Sequence, residues 1–139
     1  MRKLCMFSLL AAALVLSSNA LAKCVSNGYY ICKQASAFTS WLNSNNPSSG
    51  KHFRVSRAES GNGSIRVHFT YVDGKDGLEA MLVETKQTQA EFERKLQTIS
   101  RQAACKEPAR GIVINGGSFT AIYEYPDRTQ FFEYTAGSC

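Results

Sequence analysis

The chain has 139 residues, a formal charge of +5 and five cysteines, and 44% of its residues are hydrophobic. That length suits one domain with one core and excludes a peptide that folds only through staples. Lys and Arg form no run like those that track phosphates, which argues against a nucleic-acid partner.

Arg2 and Lys3 give a positive start, and Met6 to Leu16 is an almost unbroken apolar run. The run is shorter than the roughly 20 residues that span a bilayer. Ser17 to Ala22 follows as a small-residue region, with Ala20 and Ala22 in the A-x-A positions. Residues 1–22 therefore read as a signal peptide, and residues 23–139 as a single exported domain in the periplasm or outside the cell. Cleavage removes Arg2 and Lys3, so the 16 basic residues become 14 against 11 acidic ones, a charge near +3. No second apolar stretch follows, so no membrane span is expected.

Four cysteines stay: Cys24, Cys32, Cys105 and Cys139. An even count in an exported small domain reads as two disulfides. Cys24 also raises the question of a lipid anchor. A lipobox wants a small residue before the modified cysteine, and Lys23 stands there. Ordinary cleavage after Ala22 is the expectation, with Cys24 unlipidated.

In chain order, Ile31, Ala35, Phe38, Trp41 and Leu42 fall on one stripe of a helix, closed by Asn45 to Gly50. Three alternating runs follow: His52–Arg57, Ile65–Tyr71 and Leu78–Thr85. Ile65, Val67, Phe69 and Tyr71 form a buried face, and the three runs fit an antiparallel meander. Thr88-Gln89-Ala90-Glu91 fits a capping box. The helix behind it carries Phe92, Leu96, Ile99 and Ala103 as its stripe and ends near Cys105. Three more strands are expected: Arg110–Asn115, Ser118–Tyr125 and Thr129–Thr135. The order α-β-β-β-α-β-β-β argues for an α+β fold, a largely antiparallel sheet with two helices packed on it and two disulfides.

A Cys105–Cys139 bond would pin the final strand to the second helix. Cys24 and Cys32 would then pair. No C-x-x-C occurs, which weakens zinc and thiol-exchange readings. His52 and His68 sit opposite the apolar face, as surface residues do. Asp73-Gly74-Lys75-Asp76-Gly77 fails the ligand spacing of a calcium loop. Asn62-Gly63-Ser64 is a sequon by form but suits a hairpin turn. There is no nucleophile-elbow pattern. No catalytic residue, metal site or cofactor is expected.

One resemblance covers Ile31 to Cys139. Lys33-Gln34-Ala35, Asn46-Pro47 and the runs Phe53–Arg57 and Ile65–Tyr71 make its first half. A helix with Phe92 and Leu96 runs into Cys105. Pro108, the Ile112–Ile114 run, Gly116 or Gly117, Phe119 and Cys139 complete it. In these features the chain resembles the pilotins of type II secretion systems, of the α+β type found in vibrios and enterotoxigenic coliforms. The resemblance implies the Cys105–Cys139 disulfide. It implies a binding protein rather than an enzyme, whose partner is the short C-terminal helix of a secretin subunit, taken by helix-in-groove recognition. Family members depend on an N-terminal lipid, and Lys23 departs from that pattern. The expectation is a soluble periplasmic pilotin-like protein that holds a helix or tail of a secretion or pilus component, with Phe38, Trp41 and a sheet edge near Met81 as the binding surface. The alternative is a periplasmic inhibitor or immunity protein that blocks a lysozyme or toxin; a small hydrolase ranks behind both.

Overall fold

The computed structural model describes residues 24–139. Residues 1–23, which include the expected signal peptide, lie outside the described residues. Nine elements follow in order: α1 (Ile31–Asn45), β1 (Ser48–Ser49), β2 (Phe53–Gly61), β3 (Ser64–Tyr71), α2 (Gly74–Glu84), α3 (Gln89–Ala104), α4 (Ala109–Ile114), β4 (Ser118–Glu124) and β5 (Gln130–Ala136). The five strands form one sheet in the order β1-β2-β3-β4-β5. All neighbours run antiparallel except β3 and β4, which are parallel. The α+β fold with a mostly antiparallel sheet and two disulfides is the one expected.

Two expected strands are helices instead. Leu78–Thr85 belongs to α2, which buries Leu78 and Leu82 four residues apart. Leu, Glu, Ala and Met dominate this stretch and favour helix over strand. The expected turn Asp73–Gly77 supplies its first turn. Arg110–Asn115 belongs to α4, which buries Gly111, Ile112 and Val113 in succession. A half-buried strand would alternate there. Tertiary packing thus overrides the strand preference of Ile112, Val113 and Ile114. The meander is therefore a single β2–β3 hairpin. α2, α3 and α4 form the long crossover that a parallel β3–β4 pair requires.

The local signals for the remaining elements hold. Asn46 ends α1 in the left-handed region at φ 41°, and its N–H donates to the Leu42 carbonyl. Asn62 and Gly63 have φ of 51° and 79°. Positive values at both central residues define the two-residue turn that matches strand twist. The capping box forms as read: Glu91 N–H donates to Thr88 Oγ1 at 3.2 Å, and Thr88 N–H donates to Glu91 Oε2 at 2.8 Å. Thr88→Ala is expected to cost about 1 kcal/mol in a urea melt. The Thr88 backbone and hydroxyl hydrogen bonds hold the Glu91 carboxyl below its ordinary value of 4.5. Its stabilising effect is therefore complete above pH 4.5 and is lost as pH falls through the lowered value. Melting temperatures of wild type and Glu91→Ala should differ at pH 6 and converge in acid.

The core lies between the sheet and one layer of helices. β3 contributes Ile65, Val67, Phe69 and Tyr71, as expected, and β4 contributes Phe119, Ala121 and Tyr123. α1 packs on β2 and β3, α2 on β3, α3 on β4 and β5, and α4 sits between α1 and α3. The α3 stripe shifts by one residue. Phe92, Leu96, Ser100 and Ala104 are buried, while Ile99 is 49% exposed. Ser100 goes inside because its hydroxyl has two partners, the Leu96 carbonyl at 2.6 Å and Tyr123 Oη at 2.9 Å. A Cβ on Gly117 would collide with the Gly63 carbonyl and lie 2.6 Å from Ile112 Cγ2. Gly117→Ala should therefore destabilise by about 2 kcal/mol, read as a lowered urea midpoint at unchanged slope.

Both disulfides join the expected cysteines. Cys24–Cys32 ties the lead segment to α1, and Cys105–Cys139 ties the end of α3 to the segment after β5.

Candidate functional site

The expected binding residues occupy two surfaces, not one. Phe38 and Trp41 lie three residues apart on α1, one turn of the helix. Phe38 is half-buried against the core. Trp41, expected on the inward stripe, is 54% exposed. It is the only tryptophan of the chain. The exposed residues one helical turn from Trp41 are Ala37, Ser44 and Asn45, short side chains that leave the indole standing clear. Tyr30, at the N-cap of α1, is also exposed.

Met81 does not sit at a sheet edge. It lies on α2, half-buried. The same end of the molecule carries an aromatic shelf that the sequence reading did not assemble. Phe53 at the start of β2 packs edge-on against Tyr71 and Tyr123 and stacks on Phe92. Tyr125 and Phe131, on either side of the β4–β5 turn, have ring centres 4.7 Å apart. Phe53, Tyr125, Phe131 and Phe132 stay half-buried, above the buried rings of Tyr71, Phe92 and Tyr123. Burial raises the Tyr125 pKa, and the carboxylates of Glu79 on α2 and of Asp127 push it further up. α2 starts beside this shelf: a Cβ on Gly77, in its first turn, would lie 3.9 Å from the Tyr71 ring. The signal in the sequence was the clustering of aromatics at strand ends, which alternation alone assigns to the core.

The other face of the sheet carries no helix among the described residues, and it holds a polar cluster. His68, expected at the surface, is buried at 6% exposure, and Glu124 at 2%. Glu124 Oε2 lies 3.2 Å from His68 Nδ1. Glu124 Oε1 takes Arg57 Nη1 at 3.2 Å and the Ser56 hydroxyl at 3.3 Å. Glu59 Oε1 lies 3.5 Å from both His68 Nε2 and Arg57 Nε. At that distance His68 Nε2 makes no aligned hydrogen bond. Register explains the convergence: Arg57 faces His68 across β2–β3, and His68 faces Ile122, two residues from Glu124, on β4.

This cluster does not form a nucleophilic site. A serine nucleophile needs its hydroxyl on a base, and the Ser56 hydroxyl reaches Glu124 and the His68 carbonyl rather than the imidazole. Paired charges joining three strands act as a structural clamp. His52 is more open, with its ring stacked on Tyr71 and Nδ1 2.8 Å from Asp73 Oδ2. Among the described residues no group of three His, Cys, Asp or Glu is arranged to hold a metal ion.

The apolar surfaces fit recognition of another protein. No described helix is long and apolar enough to cross a membrane. No family model matches the chain, and no curated protein matches its sequence. Its architecture is shared by solved structures. The pilotin EpsS of the Vibrio vulnificus type 2 secretion system superposes with a TM-score of 0.56 at 12% identity, covering 76% of this chain and 86% of that one. The type II secretion system pilotin AspS from Vibrio cholerae superposes with a TM-score of 0.54 at 14% identity, covering 77% of this chain and 89% of that one. The resemblance read from the helix, cysteine and strand pattern thus holds in three dimensions, and this chain has the fold of the type II secretion pilotins EpsS and AspS.

Proposed function

We propose that the protein is a periplasmic pilotin-like binding protein, which takes the C-terminal helix of a secretin or a similar tail of a secretion component. The observation that carries this reading is the shared fold over three quarters of the chain with two named pilotins. The exposed Trp41 and half-buried Phe38 on α1 support it, since large aromatics with apolar neighbours are what an amphipathic helix docks against. Met81 and the adjoining aromatic shelf extend the proposed surface. The protein works as a carrier or stabiliser and not as an enzyme. Lys23 precedes Cys24, and Cys24 is bonded to Cys32, so we propose that it acts without a lipid on that cysteine.

The test is co-purification from the host envelope. Tagged protein covering residues 23–139 should retain the secretin subunit, and Trp41→Ala should retain much less of it. Recovery of a lysozyme or toxin in its place, with no secretin, would sink the proposal in favour of an inhibitor. Intact mass of the protein produced from the full 139-residue chain and purified from its host should show two disulfides and no acyl chains.

A further inference from the structure

The outward side of α3 is a second surface, separate from Phe38, Trp41 and Met81. A shallow hollow runs along it. One end is lined by Lys86, Arg94, Lys95 and Ile99, and the other reaches Arg101 and the Cys105–Cys139 disulfide. Lys86, Arg94, Lys95 and Arg101 are all exposed. Among the described residues none of the four has a carboxylate within ion-pair distance, although Arg66 and Arg110 each have one and Arg57 has two.

The nearby acids are committed elsewhere. Glu91 also lines the hollow, but its carboxylate accepts the Thr88 N–H at 2.8 Å in the capping box. Glu93 accepts from Gln89 Nε2 at 3.1 Å. The result is a row of four exposed cations around one exposed isoleucine, with Arg94 and Lys95 also in the field of the Glu91 carboxylate. Ile99 stands out there because Ser100 has taken the inward position through its bond to Tyr123. Arg94 and Arg101 are seven residues apart, two helical turns or about 10 Å along α3.

We propose that this hollow docks an acidic amphipathic helix of another protein. Apolar residues of the partner would cover Ile99. Carboxylates spaced i and i+7 would meet Arg94 and Arg101, with Lys86 and Lys95 on the flank. The span from Glu91 to Cys105 accommodates a partner helix of about four turns, roughly 21 Å. An anionic bilayer would attract the same cations. A helix fits better, because interfacial binding uses a protruding apolar row, whereas Ile99 is the only exposed large apolar residue of α3. The proposal is independent of whether the α1 surface takes a secretin.

Fluorescence anisotropy tests it with the disulfide-bonded protein of residues 23–139. The probes are two labelled 14-residue amphipathic helices of identical leucine pattern, one with glutamate and one with lysine on the polar face. The glutamate peptide should bind, more weakly as salt rises, and the lysine peptide should not. The triple variant Arg94→Gln, Lys95→Gln, Arg101→Gln should lose about tenfold in affinity. The triple variant Lys33→Gln, Lys51→Gln, Lys75→Gln removes the same charge from other exposed positions and should lose less than twofold. Equal losses in the two triples would mean bulk charge alone and would overturn the proposal. So would failure of the glutamate peptide to bind. Capture by phosphatidylglycerol vesicles without peptide binding would also overturn it, making the surface a lipid site.

Discussion

A variant with Cys105→Ser and Cys139→Ser is expected to be less stable than wild type by about 3–4 kcal/mol. The bond closes a loop with a sequence separation of 34. In the chain-entropy account that closure removes this much conformational freedom from the unfolded chain. β5 pairs with β4 alone, and the bond anchors the segment just beyond it. The cross-link thus holds the one full-length strand at the margin of the sheet. Urea unfolding with Cys24–Cys32 intact checks it. A loss below about 1 kcal/mol would mean that packing against α3 and β4 holds β5 without help, and that the staple adds nothing.

Glu124→Ala should cost about 3 kcal/mol, or roughly 10 °C in melting temperature. The side chain is nearly inaccessible, and one carboxylate serves Arg57, His68 and Ser56 at once. Removing it leaves the buried imidazole without that partner. It also leaves Arg57 with Glu59 alone at 3.5 Å. Arg57 is about one third exposed, which keeps the loss at the low end for a broken buried pair. Glu124→Gln keeps the shape and part of the hydrogen bonding, so it should lose less than half as much. Equal losses in the two variants would show that charge, not hydrogen bonding, joins the three strands. Near-wild-type stability of Glu124→Ala would contradict the clamp altogether.

What the sequence made legible was the part of the fold that rests on local rules. Alternation in Ile65–Tyr71 located β3 and its buried face. Thr88 and Glu91 located the start of α3 to the residue, because a capping box uses side chains within one turn. Asn62-Gly63 located the hairpin. α2 was misread because its apolar residues are few enough to fit two periods, and because Asp73–Gly77 looks like a turn that separates strands. α4 was misread because Ile112, Val113 and Ile114 favour strands, while the burial of Ile112 and Val113 that favours the helix comes from α1, α3 and β4. No local pattern announces a parallel pairing between strands separated by a three-helix crossover, so the meander followed from the misread strand.

The candidate sites divide along the same line. The cysteine pairing came from the resemblance and from the position of Cys105 at a helix end. Phe38 and Trp41 were placed on the correct helix, but Trp41 was placed on the wrong side. A stripe that includes residues 38, 41 and 42 is wider than α1 can bury against β2. His68 was read as outward from strand parity, and it does point away from the helix layer. It is buried nevertheless, because Arg57, Glu59 and Glu124 close over it. That closure depends on three strands meeting and is invisible in any one of them.

Emission from Trp41 offers the most direct test of the binding account. The indole is the only one in the chain and is more than half exposed, so docking of a helix on α1 must change its surroundings. A synthetic peptide of the host secretin's C-terminal helix, free of tryptophan, is titrated into the disulfide-bonded protein of residues 23–139. The account predicts a saturable blue shift, loss of iodide quenching, and affinity at least about tenfold weaker for Phe38→Ala. Tight binding of the peptide by calorimetry with no change at Trp41 would move the site off α1, and no binding of the peptide at all would contradict the pilotin-like function.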